Sequence, residues 1–92
     1  MIVNIHGKRW RIKFCKLNEA TLGECDSPDT PKKEIRIRED LKGQQKLDTL
    51  CHEIFHAVDY WRNSEEFVDG TGTALATILW RLGLRWSDEN EE

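Results

Sequence analysis

Ninety-two residues, 38% hydrophobic and 34% charged, describe one small globular domain and leave no room for a second. No run of about 18 apolar residues occurs, so no membrane span is expected, and Met1-Ile-Val-Asn-Ile-His-Gly7 does not resemble a secretory leader. The net charge of −3 hides an asymmetry: residues 1–46 carry 11 Lys/Arg against 7 Asp/Glu, and residues 47–92 carry 3 against 10.

Ile2-Val3-Asn4-Ile5 is short and β-branched, and His6-Gly7-Lys8 follows as a turn. From there Trp10, Ile12 and Phe14 alternate with Arg9, Arg11 and Lys13, the pattern of a half-buried strand closing an antiparallel hairpin. Residues 21–25 suggest another short strand, and the prolines of 26–31 mark a loop. Glu34-Ile-Arg-Ile-Arg38 alternates again, with Ile35 and Ile37 inward. The odd cysteine count without a C-x-x-C spacing suits a reduced, cytoplasmic setting, although Cys15 and Cys25 can face each other across a hairpin.

Two helices complete the chain, from about Gln44 to Trp61 and from about Ser64 to Leu82, with Ser64 as N-cap. The expected class is α+β: a small antiparallel sheet packed on two helices, one domain over residues 1–86, then an acidic tail over 87–92. At about 100° per residue, Leu47, Leu50, Cys51, Ile54, Val58 and Trp61 share one face of the first helix. His52, His56 and Asp59 lie opposite, with Thr49 and Glu53 a little beyond. On the second helix Val68, Gly72, Leu75, Leu79 and Leu82 form the apolar stripe. Gly70 and Gly72 suit a close helix–helix approach, unless residues 69–73 break the helix.

His52-Glu53-Ile54-Phe55-His56 carries the chemistry. Histidines at i and i+4 put two nitrogens within reach of one ion, and the intervening Glu can reach a water without binding the metal. Chance places this motif in roughly one such sequence in a hundred, and seldom on a patterned helix, so metal binding is favoured over two exposed histidines. The third ligand comes from the second helix. Glu65 lies nearer its apolar stripe than Glu66, which leaves Glu65 the preferred ligand, Glu66 the alternative and Asp59 a weaker rival. Asp69, one turn on, is placed to orient an imidazole from behind, with Asp59 as a further supporting carboxylate.

Residues 47–59 with Ser64-Glu-Glu and the Ala/Leu-rich helix after them resemble small phage- and prophage-encoded zincin-like proteins. More distantly they resemble SprT-like and ImmA/IrrE-type metallopeptidases and the gluzincins. The resemblance covers about residues 33–82 and implies a minimal zincin core with one zinc per chain. It implies His52 and His56 as zinc ligands, Glu53 as general base and Glu65 as third ligand, with Glu65 and Asp69 matching the gluzincin Glu-x-x-x-Asp. The third histidine of SprT-like enzymes has no counterpart, because no His follows His56. Gluzincins use a Tyr or His on the oxyanion; Tyr60 and His6 are the residues available here. The expected activity is peptide-bond hydrolysis of a protein or peptide substrate, held along a strand edge near Ile35–Arg38. The alternative is a non-catalytic zinc-stapled binding module. Nucleic acid is the less favoured partner, because Lys8, Arg9, Arg11, Lys13 and Lys16 lack interleaved exposed aromatics.

Overall fold

The computed structural model describes residues 1–87; the acidic tail, apart from Ser87, lies outside the described residues. Its elements are β1 (Ile2–Ile5), β2 (Lys8–Cys15), β3 (Gly23–Cys25), β4 (Glu34–Arg38), α1 (Gly43–Val58) and α2 (Glu65–Arg81). The α+β class is as expected. No helix among the described residues is long and apolar enough to cross a membrane.

β1 and β2 form the expected hairpin, with Val3 opposite Trp10 and Ile5 opposite Lys8. Its two-residue turn needs positive φ at both positions, and His6 (52°) and Gly7 (77°) supply it. The amide of Gly7 donates to Asn4 Oδ1 at 2.8 Å, which closes the turn.

The sheet order β1-β2-β4-β3 corrects two expectations. The sheet is mixed rather than antiparallel throughout, because β4 runs parallel to β2, with Ile12 beside Ile35 and Phe14 beside Ile37. β4 is also an interior strand, and β3 takes the edge. The reason is burial: Ile35 and Ile37 are fully buried, so β4 goes where both its neighbours and a helix cover it. Cys15 pairs with Arg38 and Cys25 with Ile35, so β4 separates the two cysteines, and both are free thiols.

The layers run sheet, α1, α2. α1 packs on β3 and β4, while α2 packs along α1 rather than on the sheet. α1 therefore buries two faces instead of one. Leu50, Ile54 and Ala57 meet Trp10, Ile12, Ile35 and Ile37 on the sheet side. Leu47 and Cys51 meet Ala76 of α2, with Leu79, Trp80 and Trp86 around them. Val58 and Trp61, expected on the packing face, are exposed.

The helix ends early because Asn63 Nδ2 donates to the Phe55 carbonyl at 2.8 Å, and the amides of Arg62 and Asn63 turn back onto the Asp59 carbonyl. Ser64 then caps α2, its Oγ accepting from the Phe67 amide at 3.1 Å. α2 is continuous through residues 69–73. Its stripe is partly as expected: Val68 and Gly72 are buried, but Ala76 replaces Leu75 inside, and Leu82 is exposed.

Gly72 marks the closest approach of the two helices. A Cβ there would stand 3.2 Å from the His52 amide nitrogen and 3.3 Å from its Cα, whereas at Gly70 it would meet nothing within 4 Å. Overpacking against backbone costs about 1–3 kcal/mol, and replacing a helical Gly by Ala returns about 1 kcal/mol. Gly72→Ala is thus expected to lower the melting temperature and Gly70→Ala to raise it. Thermal unfolding of the two variants checks this, and the reverse order would contradict the close approach.

Candidate metal centre

α1 and α2 lie side by side, so the polar edge of one faces the first turn of the other. His52 and His56 are one turn apart on α1, and their Nε2 atoms approach to 3.1 Å. Glu65, in the first turn of α2, spans both rings: Oε1 lies 2.6 Å from His56 Nε2 and Oε2 lies 3.7 Å from His52 Nε2. Three donor atoms from these residues fall within 4.8 Å of one another. Ligands about 2.0–2.2 Å from a tetrahedral ion stand roughly 3.3–3.6 Å apart, a spacing the observed separations bracket. Imidazole, imidazole and carboxylate is also a donor set suited to Zn2+.

On the other side of the His52 ring, Asp69 Oδ1 lies 2.9 Å from Nδ1. With its proton on Nδ1, His52 would donate to Asp69 and turn the Nε2 lone pair towards His56 and Glu65. Glu66 is exposed and stays outside the group. Asp59 sits at the end of α1, engaged through its carbonyl in the interhelical turn, and lines neither of the clefts beside the site. His6 stands in the β1–β2 turn.

Glu53 departs most from its expected setting. Helical spacing puts Thr49 and Glu53 next to the polar side of α1, yet both are buried, Glu53 to 7% exposure, because that side meets β3. Gly23 makes the fit possible: a Cβ there would stand 3.0 Å from Thr49 Cγ2 and 3.1 Å from Glu53 Cγ. Burial pushes the Glu53 carboxyl up to about 7; nearby His52 pulls it back, and the carboxylates of Glu65 and Glu24 add to the rise.

Two clefts open beside the centre, and both are lined by Gly23, His52 and Glu53. The first, about 480 Å³, continues along Thr21, Leu22, Gln45, Asp48, Asp69 and Thr73. The second, about 520 Å³, takes in Cys25, His56, Tyr60, Asn63 and Glu65. Sequence reasoning missed Gly23, Thr49 and Asp48. Asp48 and Thr49 each left a helical signal, one turn before His52 and Glu53, and the Asp48 carboxylate accepts from Thr73 Oγ1 at 3.1 Å, tying α1 to α2.

No family model, curated protein or solved structure matches this chain. A functional reading therefore stands on the chemistry of these residues.

Proposed function

We propose that the chain is a zinc-dependent peptidase in which His52, His56 and Glu65 hold the metal and Glu53 is the general base. One observation carries the reading: a His–His–Glu group converges beside a buried carboxylate that opens onto two clefts. Zn2+ held there supplies a Lewis acid that polarises a carbonyl and brings the pKa of water towards 7. Glu53, outside the donor group, takes the proton of the attacking water and passes it to the leaving amine. Asp69 fixes the His52 ring, and Tyr60, which lines the second cleft, is the residue assigned to the oxyanion.

The edge that receives an extended substrate is β3, not the interior strand β4. The carbonyl of Leu22 and the amide of Asp26 bond to β4. By alternation the main-chain groups of Gly23 and Cys25 face away from β4, and both residues line the second cleft. The free thiols of Cys15, Cys25 and Cys51 suit a cytoplasmic setting.

A second reading, a zinc staple without catalysis, draws on α2 packing chiefly along α1, because a metal shared by the two helices would lock that layer in place. Cleavage of a diverse peptide library separates the two. Hydrolysis by the zinc-loaded protein, lost on chelation and restored by added Zn2+, is expected. An inert zinc-loaded protein would leave only the staple.

A further inference from the structure

The alternation of β2 and β4 sends Arg9, Arg11, Lys13, Arg36 and Arg38 to the solvent face of the sheet, opposite α1. The acids on that face are spoken for. Arg36 holds Glu24 at 2.8 Å and Glu34 at 3.0 Å and also pairs with Asp26, while Arg38 holds Asp40 at 2.7 Å. Among the described residues no carboxylate pairs with Arg9, Arg11 or Lys13, nor with Lys32 and Lys33 of the β3–β4 loop. That loop folds back beside β2, where Arg9, Arg11, Lys32 and Lys33 line a groove of about 510 Å³ together with Glu34, whose carboxylate Arg36 holds. The metal-centre clefts show the opposite balance, with Asp48, Glu53, Glu65 and Asp69 and no Lys or Arg. The fold thus sorts a nearly neutral chain into an acidic site and a basic sheet face.

We propose that this basic face binds the phosphate backbone of duplex nucleic acid, docked across Arg9, Arg11, Lys13 and the groove bounded by Lys32 and Lys33. Alternate residues on a strand advance about 6.6–6.8 Å, close to the axial advance of two nucleotides in one strand of a duplex, at about 3.4 Å each. Of the three β2 cations on this face, Arg9 and Arg11 are guanidinium groups, whose planar fork matches phosphate oxygens. Trp10 and Phe14 point inward, so the strands offer no exposed aromatic ring for stacking on single-stranded bases or for seating in a bilayer. Phosphate contacts without base contacts give sequence-independent, salt-sensitive binding. This inference is independent of the peptidase reading.

Anisotropy of a short labelled DNA duplex, titrated with the protein between about 50 and 200 mM NaCl, tests it. Neutralising three to five phosphates predicts a slope of log K against log salt of about −2.7 to −4.5. Arg9→Gln/Arg11→Gln/Lys13→Gln should reduce the magnitude of that slope by about 2 to 3 and weaken binding at least about 10-fold at the lowest salt. Lys32→Gln/Lys33→Gln, confined to a loop, gives a second variant and should reduce it by about 2. Both variants should keep the wild-type melting temperature and zinc uptake, since neither touches the core or the metal centre. Absence of duplex binding at the lowest salt would overturn the proposal. So would wild-type binding by both variants, or binding to phosphatidylserine vesicles without binding to the duplex.

Discussion

Glu53→Gln is expected to reduce peptide hydrolysis by about 10²–10⁴-fold, the usual contribution of a general base. The substitution keeps shape and volume and removes only the proton acceptor. Zinc content should stay at the wild-type level, because Glu53 is not one of the three donors brought together on α1 and α2. Folding should hold as well. Burial raises the Glu53 carboxyl to about 7, so the metal-free native state binds a proton more tightly than the unfolded chain. Its stability therefore falls as pH rises from the ordinary Glu range through about 7, and glutamine removes that loss. Above neutral pH the metal-free variant should melt no lower than wild type. Cleavage at the wild-type rate by zinc-loaded Glu53→Gln would remove Glu53 from the mechanism.

Zinc is expected to raise the melting temperature by an amount far larger than any surface substitution does. A ligand at 1,000 times its Kd stabilises the native state by about 4.1 kcal/mol. In a domain of this size each kcal/mol shifts the midpoint by about 4–8 °C, so saturating zinc is worth on the order of 15–30 °C. The effect is strong here because the donors sit on both helices, so one ion ties α2 to α1 beside the apolar contact of Leu47 and Cys51 with Ala76. Glu65→Ala should weaken zinc binding by about 10-fold or more and shrink the shift accordingly. Glu66→Ala should leave it unchanged, since Glu66 is exposed and outside the donor group. Calorimetry with and without zinc reads both. Equal losses in the two variants would contradict the assignment of Glu65.

Local features of the fold were legible because local chemistry decides them. The alternation of Trp10, Ile12 and Phe14, the His6-Gly7 turn and the Ser64 cap each act over a few residues, and each stands where expected. Strand order is a different kind of fact. Nothing within Glu34–Arg38 says that it inserts between β2 and β3; that choice comes from covering Ile35 and Ile37 on all sides. The layering of sheet, α1 and α2 was hidden for a related reason. A helical wheel assumes one buried arc, whereas α1 has two, and Glu53 and Thr49 lie where the second meets β3.

The candidate centre divides the same way. His52 and His56 are related by one helical turn, and Glu65 and Asp69 by another, so spacing alone put each pair on one face. Bringing the two pairs together depends on a tertiary contact, the close approach at Gly72. Gly23 was invisible beforehand, since its role is to lack a side chain where Glu53 passes.

The function proposed for this chain depends on one zinc ion held by His52, His56 and Glu65. X-ray absorption on the zinc-loaded protein, with metal content measured on the same sample, tests it most directly. One zinc per chain is expected, with nitrogen and oxygen ligands at about 2.0–2.2 Å, imidazole scattering and no sulfur. Loss of that metal is expected in His52→Ala/His56→Ala. A sulfur ligand near 2.3 Å, which would point to Cys25 in the adjoining cleft, would contradict this assignment, and so would a protein that takes up no zinc.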